Sequence, residues 1–538
     1  MEEKMHDSGQ TIEHDPKPAI GSTEETFVER QDLRQGLHDR HIEMIALAGC
    51  IGTGLFLGSG LAIHNAGPAG AFLGYSLMGI AVCAVCLAIG EMGALVPLSG
   101  GIIRYADLWF DPALAFANGW NVVYGFLIGT PAEIVAASVL VEFWVTVNNA
   151  IWITVFGTII IASVIVFVRV YGELEFFFAW LKILLILGVN LMALVITCGG
   201  GPNHQSIGFR YWSNPGPFNQ YLGYGGSLGR FMGFWTTLTN AAYSYANIES
   251  FTYAAAETRS PRRNIPIAAK RIFIRILLFY VISILMVSLV VPSDSPELLH
   301  QTGTASQSPF VIAANSAGVK VVPHIINAIV ITSAWSSANS NMLYGSRAMY
   351  GLAKRKLAPK AFLRLNRFQI PWVPVTLLGT FIALGYMSLS STSSTVFQWL
   401  QSLVSISTLV NWIVILATYL RLYYGCKAQN IDRKELPWAA PFQPYFTWVV
   451  LTFFICIVLT NGYTTFLHGH WSTQTFVSSY LNIPIVVTLY FGYKWIKKTK
   501  IPGLAEIPIR EFIDNAHANP EPLRIPKRGL QRLNIFWS

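Results

Sequence analysis

A membrane crossing needs about 20 mostly apolar residues, and this chain supplies such stretches again and again. They run over 43–65, 70–96, 113–144, 151–168, 178–199, 231–254, 271–291, 308–340, 373–389, 396–420, 445–467 and 475–496. Twelve such runs in 538 residues leave no room for a second large domain. Each must satisfy its own backbone in lipid, so an α-helix is the economical form. Only 12% of the residues are charged, against roughly 25% in a soluble protein. The expected class is all-α and polytopic, with lipid as solvent.

The ends differ from the middle. Residues 1–40 hold ten Asp/Glu and five Lys/Arg with no apolar core, which reads as a disordered tail and not as a signal peptide. The polar 498–538 segment reads as a second tail. With the N-terminus inside, the inner loops carry 19 Lys/Arg: six in 257–275, seven in 347–367, four in 421–434, plus Arg104 and Arg169. The outer loops carry Arg210, Arg230 and Lys320. Positive charge collects on the cytosolic side, so both termini are expected there. The net charge of +9 is spread over separate short loops, which argues against nucleic-acid binding. Cys83 and Cys86 have redox spacing, but they sit mid-helix among Ala, Val and Leu and read as packing residues.

The stretch "CIGTGLFLGSG", Cys50–Gly60, places four glycines in eleven residues of an apolar span. A dinucleotide loop would need a preceding strand and an acid about 20 residues on; the flanks here are apolar, and the next acid is Glu91. A phosphate loop would need Gly-Lys-Ser/Thr, which is missing. Two readings remain. Gly54 and Gly58 could let helices pack closely, or the helix could be broken so that free backbone groups become ligands. The second needs a partner break. Span 6, "NAAYSYANIESFTYAAAE", supplies Asn240, Asn247 and Glu249 inside an apolar, aromatic segment. Asn tolerates left-handed backbone better than most residues, and a carboxylate within a membrane is a functional hypothesis by default. Breaks are expected near Gly52–Gly54 and Ala246–Asn247.

The order of several motifs resembles the fungal and bacterial amino-acid permeases of the amino acid–polyamine–organocation superfamily, and within it the yeast amino acid transporter family. They are "RHIEMIALAGCIGTGLFLGSG", "GEM" at Glu91, "PLSGG" at Pro97, "TPAEIVAASVLVEFW", "RVYGELEFFFAWLKI", "GFRYWSNPGPF", "ETRSPRRNIPIAAKR" and "HIINAIVITSAWSSANSNMLYGSRAMYGLA". The resemblance spans about Arg40–Lys498. It implies 12 transmembrane helices in a LeuT-like 5+5 inverted repeat, with helices 1 and 6 broken, over a permease domain 41–497 between a cytosolic disordered tail 1–40 and a cytosolic tail 498–538. It implies import of amino acids, usually by proton symport, without a cofactor, a metal or an obligate protein partner. The plasma membrane is the expected location, by analogy.

By the same resemblance, the substrate carboxylate meets backbone amides at Thr53 and Gly54, with Ile51 and Gly52 adjoining. The substrate amino group meets carbonyls of Tyr243, Ser244 and Ala246. A zwitterion needs both charges matched, and helix ends offer the two signs. Helix 6 departs from the family pattern: Asn247 stands at the hinge glycine and Tyr243 replaces a Phe. Tyr243, Tyr245, Thr130 and Glu133 are selectivity candidates, against packing for the tyrosines and a satisfied buried acid for Glu133. Lys182 either snorkels to the cytosolic surface or, as the resemblance favours, takes the place of sodium beside helix 1. Burial disfavours the charged form of any ionisable group, so Lys182 and Glu249 are both proton candidates. Glu91 reads as a gate or loop anchor. Ser333, Ser336, Ser337, Asn339 and Asn341 read first as interhelical glue and second as cavity lining. No nucleophile–base pair suggests an enzyme. An amino-acid sensor, and a sodium-coupled symporter or exchanger, are the competing readings.

Overall fold

The computed structural model describes residues 52–98, 101–145, 147–166, 168–202, 204–250, 260–299 and 308–521. Helices of eight residues or more are numbered in chain order. They are α1 Ser59–Leu95, α2 Gly101–Trp109, α3 Pro112–Val141, α4 Asn149–Val166, α5 Val168–Thr197, α6 Gly226–Ser244, α7 Pro261–Arg275 and α8 Ile282–Val290. There follow α9 Pro309–Ser316, α10 Val322–Lys354, α11 Trp372–Phe381, α12 Ser393–Ala428, α13 Tyr445–Thr460, α14 Thr473–Tyr480, α15 Asn482–Lys497 and α16 Ile509–Ala518. Among the described residues, six helical stretches are long and apolar enough to cross a membrane, and α14 with α15 form a further candidate bent by 40°.

Local chemistry explains the breaks. Expected spans 1 and 2 are two helices within α1 that meet at a break at Gly67, where φ is +77° and ψ 172°. A Cβ there would stand 2.8 Å from the backbone of Pro217, Phe218 and Asn219, so this close crossing requires glycine. The first of the two opens with a π-turn at Gly54–Gly58. Residues before Gly52, Ile51 included, lie outside the described ones. The break expected at Ala246–Asn247 is present: α6 ends at Ser244, and Asn247 takes φ +62°. Span 8 needs correction. The expected 308–340 run is two elements, because the chain turns at Gly318 (φ +78°) and restarts with Pro323 in the first turn of α10. The serines and asparagines of this region therefore sit at the middle of α10.

α3 packs between α10 and α12, and α6 packs along α1. Outward faces are apolar: on α5, Leu184, Leu187 and Leu191 are each more than half exposed. An exposed apolar stripe of that length belongs against lipid. On the opposite face of the same helix Glu175 and Lys182 are buried. The C-terminal region is not wholly loose. α16 buries Ile509, Phe512 and Ile513, and Phe512 meets Trp109 edge-on.

Candidate functional site

A cavity lies where the start of α1, the broken end of α6 and the middles of α3, α10 and α12 converge. Gly52 and Gly54 bring the first segment in. A Cβ on Gly54 would sit 2.8 Å from Tyr243 Cδ1 and 2.9 Å from Ser244 Cα. Helix 1 thus touches the backbone of helix 6 at the place where α6 stops. Beyond Tyr245 the regular i→i−4 ladder lapses, with Ala246 N–H turning to Tyr243 O, and Ala246 and Asn247 line the cavity.

Glu133 is the centre of one polar cluster. It is buried and accepts from the Thr53 hydroxyl at 2.9 Å and the Tyr243 hydroxyl at 3.1 Å. Ser337 of α10 adds its hydroxyl to the same carboxylate. A Cβ on Gly52 would come within 3.0 Å of Glu133 Oε1. The absent side chain of Gly52 therefore leaves this carboxylate open to the cavity.

Glu249 forms a second cluster. Asn411 Nδ2 donates to it at 2.9 Å and Trp412 Nε1 at 3.2 Å. Asn411 in turn accepts from Asn118 at 2.9 Å. Asn121 and Asn482 continue the amide chain into α15. Both acids line the cavity, and among the described residues its lining has no Lys, Arg or His. Among the described residues, no group of three His, Cys, Asp or Glu side chains gathers for a metal ion.

Lys182 does not snorkel. Its side chain is fully buried and donates to Ser336 of α10 at 2.9 Å. It stands behind the cavity, near enough to Glu133 for their charges to attract. Glu175 was passed over in the sequence, although it lies in a quoted motif; it stands 3.7 Å from Lys182 Nζ.

Other candidates are set apart. Thr130 spends its hydroxyl on Phe126 O, one turn back at 2.9 Å, and its neighbour Gly129 lines the cavity instead. Tyr245 donates to Tyr75 O at 3.0 Å and packs on Tyr280, away from the cavity. Ser244 hydrogen-bonds Asn240 O and the Tyr75 hydroxyl. The α10 stripe divides three ways: Ser337 and Asn341 line the cavity, Ser336 holds Lys182, and Asn339 accepts from Ser163 of α4. Glu91 is an anchor far from the cavity lining. It takes Arg433 at 2.7 Å, the Tyr419 hydroxyl at 2.8 Å and Ala440 N–H at 2.7 Å.

A family model described as amino acid permease matches residues 41–506. The chain belongs to the amino acid permease family. It is 36% identical to a proline-specific permease of Emericella nidulans, across 100% of this chain and 98% of that protein. It is 35% identical to a dicarboxylic amino acid permease of Saccharomyces cerevisiae (90% of this chain, 81% of the relative). A basic amino-acid permease of the same yeast is 32% identical (91% and 86%). The permease is thus a multi-pass membrane protein of amino-acid transport. Its relatives are named for proline, dicarboxylic and basic substrates at similar identity, so family membership leaves the substrate to the cavity.

Proposed function

We propose that this permease imports amino acids by proton symport with alternating access. The reading includes twelve spans in a LeuT-like five-plus-five repeat, both termini in the cytosol, and the plasma membrane as location. One observation carries it: the interrupted end of α6 meets the glycine-led start of helix 1 at the wall of a cavity that holds Glu133 and Glu249. In this reading the amides at Gly52–Gly54 take the substrate carboxylate, because helix N-termini favour anions. The carbonyls at Tyr243, Ser244 and Ala246 take its ammonium, with Glu133 nearby. Ile51, outside the described residues, adjoins the carboxylate subsite. Tyr243, Asn247 and Glu133 shape the space for the side chain, while Thr130 and Tyr245 act only by packing.

With no cation among the described residues of the lining, an acidic side chain finds no partner there, and an unpaired buried charge is costly. A neutral amino acid is the proposed substrate class, proline first among those to be tried. Lys182 or Glu249 carries the coupling proton. The test is labelled uptake of the twenty amino acids in cells lacking their own permeases. Uptake of a neutral amino acid, stimulated by external acid and indifferent to exchanging sodium for choline, is expected. Sodium-dependent uptake at constant pH refutes the coupling, and binding without uptake supports a sensor instead.

A further inference from the structure

Lys182 and Glu175 both lie on α5, two helical turns apart and on the same buried face, with Ser336 of α10 wedged between them. Each side chain is about 1% exposed. The hydrogen bonds run in one direction. Lys182 Nζ donates to Ser336 Oγ at 2.9 Å, and Ser336 Oγ donates to Glu175 Oε2 at 2.5 Å. The other carboxylate oxygen, Oε1, has no hydrogen-bond donor among the described residues. A hydroxyl that accepts from Lys182 and donates to Glu175 gives an unbroken hydrogen-bonded path between the two side chains.

We propose that Glu175 is the acid that takes the coupling proton from Lys182, through Ser336, toward the cytosol. This rests on the proton-coupled reading above and adds the residue to which the proton goes. As the Nζ–H bond breaks, a new Oγ–H bond forms; the old Oγ–H bond breaks as an Oε2–H bond forms. Lys182 ends as a neutral amine, Glu175 as a neutral acid, and the Ser336 hydroxyl is regenerated. One proton moves and no net charge is created. The transfer replaces a buried ion pair by two neutral groups, so low-dielectric surroundings oppose it far less than they oppose a lone charge.

Direction follows from the chain. α5 runs from the inner to the outer side in the proposed orientation, so the backbone of Glu175 lies about 10 Å nearer the cytosol than that of Lys182, while the two charged groups stand 3.7 Å apart. On the cavity side, Lys182 is close to Glu133. Among the described residues, α4, α8 and α9, which pack on α5, contain no ionisable group. On α10 the nearest are Tyr344, Arg347 and His324, two or more turns from Ser336. Glu173, the other acid of α5, is exposed. A purely structural ion pair can share the same hydroxyl, and the experiment separates the two.

Reconstituted full-length protein carrying Glu175→Gln, Ser336→Ala, Ser336→Thr or Glu173→Gln is compared with wild type in vesicles. The readouts are accumulation of labelled substrate under an imposed pH gradient, its pH profile, and the half-saturation for exchange. Glu175→Gln and Ser336→Ala should each cut accumulation by about tenfold or more and flatten its pH profile, with half-saturation within about threefold. Ser336→Thr keeps the hydroxyl and should restore accumulation; Glu173→Gln should match wild type. Wild-type pH dependence in Glu175→Gln overturns the proposal. If Glu175→Gln does not fold, the Ser336 pair decides: equal accumulation by Ala and Thr overturns it. Failure of the parent reading looks different, because wild type itself would then ignore the pH gradient.

Discussion

The Tyr243 hydroxyl donates to Glu133 Oε1 at 3.1 Å, joining the last turn of α6 to the middle of α3 across the cavity. Hydrogen bonds to a charged group contribute about 1.5–3 kcal/mol, or roughly 10–100-fold in an equilibrium. Tyr243→Phe keeps the ring and removes that donor, while Thr53 still holds the other oxygen. The expected result is a half-saturation raised by about tenfold. Tyr245→Phe is the comparison, since its hydroxyl bonds Tyr75 O outside the cavity. It should lower thermal stability and leave half-saturation near wild type. Equal effects of the two on uptake kinetics would contradict the assignment of Tyr243 to the cavity.

The glycines make a sharper contrast. At Gly54 a Cβ would lie 2.9 Å from the Ser244 Cα, which is backbone and cannot swing aside. At Gly58 the nearest atom is the end of Gln401, at an ordinary 3.5 Å. Gly54→Val should therefore abolish binding and transport together, and Gly58→Ala should retain most of both. Surface abundance of each variant must be measured alongside. A fully expressed Gly54→Val that still transports would remove helix 1 from the site.

How far the sequence reached can be argued from these residues. The break in α6 was legible because Asn247 and Glu249 interrupt an apolar run, and the left-handed backbone went to the residue type that tolerates it. Glu133 was legible as a lone acid in a long apolar helix. Thr130 misled because polarity was weighed without helical phase. A one-residue step turns about 100° around the helix, so Gly129 faces the cavity while Thr130 bonds its own backbone. The Lys182–Ser336–Glu175 path was invisible, since it depends on how α5 packs on α10. The division of span 8 rests on Gly318 and Pro323, a turn signal hidden inside a continuous apolar stretch.

Asp111 ties the two ends of the bundle together on the side where α3 begins. It caps α3 by accepting from Ala113 N–H at 3.0 Å, and it takes Lys494 of α15 at 2.6 Å. Burial alone would raise its pKa, but the hydrogen bonds from Lys494 and Ala113 outweigh this and hold it below the usual carboxylate range. A depressed folded pKa gives stability that is complete above the unfolded value, about 3.9, and that is lost as pH falls through the folded value. Asp111→Asn should thus lower the melting temperature of the purified protein at pH 7, by the equivalent of about 1–3 kcal/mol. The two melting curves should begin to converge as the pH drops below about 4 and meet once it is below the depressed folded value. A gap that persists unchanged into acid would mean that packing, not charge, separates the variants.

Glu249 offers the most direct test of its own role, because its partners can adapt. Asn411 Nδ2 and Trp412 Nε1 both donate to the carboxylate. In Glu249→Gln the new amide nitrogen would face a donor. Asn411 can turn its oxygen toward it, since Asn118, its partner on α3, is also an amide and can turn in step. The substitution therefore keeps shape and most hydrogen bonds, giving up the long 3.5 Å bond from Asn121 to Asn118, but cannot ionise. If Glu249 exchanges the coupling proton, the variant should bind and exchange substrate yet accumulate it about tenfold less, the scale of one lost charged interaction. If Glu249 only braces the end of α6 against α12, exchange and accumulation should both persist. Counterflow and net accumulation measured in the same vesicles distinguish the two. Full pH-driven accumulation by Glu249→Gln would leave Lys182, with its neighbours on α5 and α10, as the one remaining proton carrier of the scheme.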